Sequence, residues 1–112
     1  MTTLEHPQIV SKLERRLRVK LGCVTTTCEN YKCNGIVGEV DLYGFDFKHQ
    51  VLYAIEVKGR DNQNNSTKAY HQLNKDEVYL RRLFHDFEPF KLVRLYAHSD
   101  KTKRQRYDVV RL

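Results

Sequence analysis

Long apolar runs are missing from this 112-residue chain. The longest unbroken one singled out, Val51-Leu52-Tyr53-Ala54-Ile55, falls far short of the ~20 residues that a membrane-crossing helix needs. The opening residues, Met-Thr-Thr-Leu-Glu-His-Pro, have neither the basic n-region nor the apolar h-region of a secretory signal. The expected location is therefore intracellular: cytoplasm or nucleoid, or the host cytoplasm for a viral chain. Cysteine is scarce and odd in number, at Cys23, Cys28 and Cys33, which argues against a closed disulfide framework. Their C-x4-C-x4-C spacing lacks the tight C-x2-C knuckle of a structural zinc site and has no nearby fourth ligand. Structural thiols in a strand or hairpin are expected, with a Cys28–Cys33 or intersubunit disulfide as the alternative. The histidines, at 6, 49, 71, 85 and 98, form no H-x3-H or H-x-H pair, and surface or helix-face positions are expected for them. No internal repeat and no low-complexity tract appears.

Acidic charge is also short. Twenty Lys and Arg face fourteen Asp and Glu, for a formal net charge of +6 and a pI near 9.3. Such a balance favours a polyanionic partner, nucleic acid before membrane. The length allows one domain, residues 1–112, with no room for a second core. A domain of this size buries a modest fraction of its surface, so oligomerisation would help it.

What is present reads as alternating elements. Pro7 suits the first turn of a helix, and Ile9, Val10, Leu13, Leu17 and Leu21 recur at three- and four-residue steps until Gly22 stops them. Residues 23–33 are threonine-rich and read as a strand or irregular hairpin. Residues 37–47 and 51–58 read as adjacent strands joined by a short turn near 48–50. Alternation puts Glu39 and Asp41 on one face of the first, with Val40 and Leu42 on the other. In the second, Glu56 and Lys58 share a face, opposite core-facing Ile55 and Val57. Residues 61–67 are a polar loop ending in helix-capping residues. A helix over 68–86 follows, with Tyr70, Leu73, Leu80, Leu83, Phe84 and Phe87 as its apolar face. A strand over 90–97, a basic turn over 101–106 and a strand over 107–112 complete the order α-β-β-β-α-β-β. Long helices on a mixed sheet make the expected class an α/β sandwich.

The chemistry lies in two strands. Phosphodiester hydrolysis needs an activated water, charge neutralisation at the phosphorus and a stabilised leaving oxygen. A hard divalent cation can supply all three. Mg2+ keeps several waters, so one or two carboxylates and a carbonyl suffice to hold it. Asp41 and Glu56 offer the carboxylates, and the Val57 carbonyl is a candidate third ligand. Lys58 is expected to orient the attacking water or hold the scissile phosphate. The competing reading is a solvated Glu–Lys pair on a strand face. The basic turn, Lys101, Lys103, Arg104 and Arg106, is a candidate phosphate contact.

Gly38-Glu39-Val40-Asp41-Leu42 followed by Ala54-Ile55-Glu56-Val57-Lys58-Gly59-Arg60 resembles the PD-(D/E)xK nuclease superfamily. The expected αβββαβ order and the small size look most like its archaeal and viral Holliday-junction resolvase branch. Val40 stands where the motif has proline, a departure that many members share. The resemblance implies a restriction-endonuclease-like core, a central mixed sheet flanked by helices. It implies Asp41 and Glu56 as metal ligands, Lys58 as catalytic lysine, and Mg2+ as cofactor, with Mn2+ able to substitute. Many members add a first-helix glutamate. Glu14 is the choice here, with Glu5 and the Gln8 position as alternatives and a solvated Glu14 paired to Arg18 as the competing reading. Glu39 could serve as an alternative acid beside Asp41. Gln72 resembles an auxiliary residue seen after the lysine motif, with Lys75 one turn later. Arg60 and Lys68 join Gln72, Lys75 and the basic turn as expected nucleic-acid contacts. The implied activity is Mg2+-dependent endodeoxyribonuclease action on branched DNA, by a homodimer. The alternatives are a DNA-binding module with a decayed site and an RNA-processing nuclease.

Overall fold

The computed structural model describes residues 3–112. Helix α1 (His6–Leu21) leads into strands β1 (Val24–Cys33), β2 (Ile36–Asp46) and β3 (Val51–Lys58). Helix α2 (Gln63–Leu83) and a 3-10 turn (His85–Phe87) precede β4 (Lys91–Ser99) and β5 (Tyr107–Arg111). The strands form one five-stranded sheet in sequential order. All neighbours are antiparallel except β3 and β4, which are parallel and joined across the sheet by α2. The protein is thus α/β with a mixed sheet, in the element order expected. Among the described residues no helix is long and apolar enough to cross a membrane.

Helix α1 starts where Glu5 and Gln8 form a reciprocal capping box and Pro7 fills the first turn. It ends on Gly22, whose φ of 67° is a left-handed conformation that glycine adopts without a Cβ penalty. Its buried stripe is Ile9, Val10, Leu13 and Leu17; Leu21 lies outside it, 42% exposed. The stripe packs on Leu42, Ile55, Val57, Ala97 and Tyr107. Helix α2 covers the opposite face, where Leu73 and Leu80 meet Tyr31, Val40, Tyr43, Phe45, Leu52 and Ala54. Both faces of β3 are therefore core, not the Ile55–Val57 face alone.

Helix α2 differs from the expected 68–86. Asn62, not the end of the polar stretch, is the cap: its side chain accepts the Asn65 N–H at 2.8 Å. The chain thus turns helical five residues earlier, and it leaves the α-helix after Leu83. Its buried stripe is Ala69, Leu73, Asp76 and Leu80. Tyr70, Leu83 and Phe87, expected on the apolar face, are exposed. An acid in the middle of a core-facing stripe is the element's most informative departure. All three cysteines are unbridged: Cys23 buried, Cys28 exposed and Cys33 half-buried.

The two ends of the sheet differ. Near the start of β3, Phe45 gathers Phe84, Phe87, Phe90 and Phe47 around its ring and anchors the exit of α2. At the other end of β3 the strands part. Pairing of β2 with β3 stops at Leu42↔Ile55, while β2 continues with β1 as far as Cys33↔Ile36. Asp41 stands at this fork.

Candidate active site

Asp41 breaks the pairing on both of its sides. The β1–β2 register passes from Thr27↔Leu42 to Glu29↔Val40, skipping Cys28, whose φ of 52° is left-handed. Across the break the alternation of side chains changes phase: Val40 packs with α2 and Leu42 with α1. The expected common face for Val40 and Leu42 is thus corrected, because strand alternation holds only while the backbone is regular. The break lets the Asp41 carboxylate turn toward β3. There its Oδ2 accepts the Val57 N–H at 2.9 Å, replacing a strand partner with a side chain.

Glu56 and Lys58 come from the regular end of β3 and point to the α2 side. Lys58 Nζ lies 3.4 Å from Glu56 Oε1. Glu56 is 5% exposed, and its Oε2 is buried with no hydrogen-bond partner. Burial first, then the Asp41 charge and hydrogen-bonding proximity to Asp41, hold its carboxyl well above the usual carboxylate range. The nearby Lys58 pulls the other way without offsetting them. Two buried carboxyl groups stand side by side with too little positive charge to balance them.

These groups line one polar cleft of about 470 Å³, together with His6, Glu39, Gly59 and Gln72. His6 enters from the first turn of α1, with Nε2 3.2 Å from Asp41 Oδ2. Gln72 enters from α2; its Nε2 donates to the Glu39 carbonyl at 3.0 Å and to Asp76 Oδ1 at 2.8 Å. A neighbouring recess shares His6 and Gly59 with the cleft and adds Arg60 and Asn65. The loop after Lys58 is clamped to β4: Ser99 Oγ donates to the Gly59 carbonyl, and Tyr96 Oη donates to Asp61 at 3.2 Å.

The structure brings Asp41, Glu56, Val57, Lys58 and Gln72 together. Glu14 is a correction. It lies eight residues along α1 from His6, about 12 Å at 1.5 Å per residue. There it accepts a hydrogen bond from Thr25 Oγ1 at 3.2 Å and pairs with Arg18. Only the first turn of α1 meets the cleft, so a residue two turns on cannot reach it. Glu5 and Gln8 are occupied with capping each other. Lys75 is also outside the cleft, against Tyr31, Ile36 and Val78 under the β1–β2 arm. Lys68 and Arg60 are exposed. Lys101, Lys103 and Arg104 are exposed in the β4–β5 turn. Because β3 and β4 run parallel, with Lys58 beside His98, that turn opens at the cleft end of the sheet. Arg106 is half-buried and closes the turn, its carbonyl accepting the Asp100 N–H at 2.8 Å.

Sequence reasoning missed His6 and Asp76. His6 carried no spacing signal, since its partner is 35 positions away. His98, expected on the surface, is buried against Ser99 and Asp61. Asp76 did carry a signal: with Ala69, Leu73 and Leu80 it falls on one stripe at helical spacing.

The donor set suits a hard divalent cation. The unpartnered Glu56 oxygen and the Asp41 carboxylate are oxygen donors facing one space, and a cation there would relieve their repulsion. Among the described residues no group of three or more His, Cys, Asp and Glu side chains converges on one point. Mg2+ requires only one or two carboxylates when water completes its shell. No family model, no curated protein and no solved structure matches this chain.

Proposed function

We propose that this protein is a divalent-cation-dependent endodeoxyribonuclease with a restriction-endonuclease-like core, cutting branched DNA as a homodimer. The observation that carries the reading is the Glu56 carboxyl. It is buried at a strand end, unpartnered at Oε2, beside Asp41 and 3.4 Å from the Lys58 ammonium. A purely structural Glu–Lys pair would sit in solvent and need no second buried acid. The αβββαββ order, with one parallel crossover through α2, supports the resemblance to PD-(D/E)xK nucleases.

Asp41 and Glu56 would hold the cation, with the Val57 peptide beside them. Bound Mg2+, or Mn2+ in its place, supplies a Lewis acid for the phosphoryl oxygen and a more acidic water. Every other contribution belongs to the chain. Val57 N–H and His6 fix the Asp41 carboxylate through its Oδ2. Lys58, its side chain 27% exposed, reaches the cleft and can orient a water or neutralise a phosphate oxygen. Arg60 and the β4–β5 turn supply positive charge for flanking phosphates. The single sheet and its two helices are all taken up by one core and one cleft, an arrangement that favours recognition of DNA shape over sequence. A symmetric branch presents two equivalent strands, and a two-fold pair of chains presents two clefts.

The test is incubation of the full chain with labelled four-way junction, flap, duplex and single-stranded DNA, and with an RNA duplex. Each substrate is assayed with Mg2+, Mn2+ or EDTA. Cation-dependent cutting of the branched DNA, abolished by EDTA, is expected. Binding without cutting under every cation would replace this reading with a DNA-binding module. Cutting confined to RNA would move the activity to RNA processing.

A further inference from the structure

Behind the cleft, on the α2 side, lies a buried acid that the proposed reaction has not used. Asp76 is fully buried in the core-facing stripe of α2. Its Oδ1 accepts from Tyr31 Oη at 2.7 Å and from Gln72 Nε2 at 2.8 Å. Its Oδ2 is buried without a partner, as is Glu56 Oε2. Gln72 links Asp76 to the cleft, since the same amide nitrogen also holds the Glu39 carbonyl. Tyr31 links it to the β1–β2 arm, which leaves β3 at Asp41. The negative charges are mutually felt: Asp76 acts on Glu56, and Asp41 acts on Asp76. No ion pair to Asp76 forms among the described residues; the basic group acting on it is its sequence neighbour Lys75.

Stability alone gives little reason for a carboxylate here. An asparagine could keep both hydrogen bonds at Oδ1 without burying a charge, at the cost of unpaired amide N–H groups, and burying an unpaired charge is costly. We infer that Asp76 is a positioning residue of the cation site, its buried negative charge and its grip on Tyr31 and Gln72 strengthening the hold of Asp41 and Glu56 on a divalent cation. This inference rests on the cation-dependent reading above. Asp76 touches neither the cation nor the substrate; it acts on Asp41 and Glu56 through space, and through Gln72 and Tyr31 it fixes the backbone of the β1–β2 arm beside them.

The experiment is calorimetric titration of the full chain with Mn2+, with melting temperature measured on the same samples. The chains are wild type, Asp76→Asn, Tyr31→Phe and, as a remote charge control, Asp86→Asn. Asp76→Asn is expected to keep or raise the melting temperature while weakening Mn2+ binding about 10- to 100-fold, the range for partners that support metal ligands. Single-turnover cleavage by Asp76→Asn should return to within a few-fold of wild type at saturating Mn2+. Asp86→Asn should bind as wild type does. A folded Asp76→Asn with wild-type affinity overturns the inference and leaves the nuclease reading standing. If Asp76→Asn does not fold, Tyr31→Phe decides: weaker Mn2+ binding supports the inference, and unchanged binding overturns it. A wild-type chain that binds no Mn2+ removes the cation reading itself, and this inference with it.

Discussion

Glu56 is the residue whose electrostatics are least at rest. Its carboxyl is held above the ordinary range by burial and by Asp41, so a cation that bound there would displace a proton. Mn2+ affinity is therefore expected to rise with pH from mildly acidic to mildly alkaline buffer, checked by titration at three pH values. Asp41→Asn and Glu56→Gln should each remove cleavage while leaving DNA binding within a few-fold, measured by single-turnover cutting and by gel shift. Near wild-type cutting by both would sink the assignment. Asp76 makes a separate, cation-free prediction. Burial pushes its carboxyl up to about 6, from an unfolded value of about 4. A folded pKa raised this way stabilises the fold while the acid is neutral, and that stability is lost as pH rises through about 6. In EDTA, wild type should lose about 2 kcal/mol relative to Asp76→Asn between pH 4 and pH 7. Urea unfolding at the two pH values checks it, and parallel stabilities would show that Asp76 does not titrate in the fold.

At the scale of elements, the site depends on a hairpin arm leaving the sheet. Tyr31 crosses over Gly38 on the paired strand, and a Cβ at Gly38 would meet the Tyr31 phenol ring. Tyr31 in turn stacks on Tyr79 at 4.2 Å and donates to Asp76. Gly38→Val should therefore displace Tyr31 and cost about 1–3 kcal/mol, the usual range for overpacking a filled site. Denaturant unfolding measures the loss. Gly35→Ala, at the tip of the same hairpin with nothing near its Cβ, is strained only by its φ of 78° and should leave Tyr31 in place. The ring resonances of Tyr31, assigned by NMR, separate the two variants. On the other side of the cleft, α1 contributes its first turn alone, which is why His6 takes part and Glu14 does not.

At the scale of the molecule, the proposed reading has the net charge of +6 drive association with DNA. Affinity for DNA should fall steeply with salt, with a log–log slope near −0.9 per phosphate neutralised. Lys101, Lys103 and Arg104 project from the cleft end of the sheet and should carry part of that slope. Replacing these three by alanine should flatten the salt dependence and weaken junction and duplex alike. Arg106 is left out of that variant because its φ of 69° and its backbone bonds close the turn. Sedimentation should show a dimer at micromolar concentration, and junction cleavage should give paired cuts. A monomer making single, unpaired cuts would count against junction resolution and leave a simpler nuclease.

The sequence by itself determined the α/β order, the strand that ends in Glu56-Val57-Lys58, and the likeness of that strand and of Asp41 to a cation site. These are local matters: periodicity, capping residues and turn residues are written over a few consecutive positions, and residues 51–58 form the expected strand without change. The start of α2 was misplaced because Asn62 and the polar residues after it suit a loop and a helix's first turn equally well. Which side chains meet in the cleft was decided only by the tertiary structure. His6 reaches Asp41 because α1 lies across the fork in the sheet. Asp41 turns toward Val57 because the ladder breaks at Cys28. Asp76 stands behind Glu56 because α2 crosses the face that β3 presents. Each of these contacts joins residues far apart in the chain, and no short-range pattern records them.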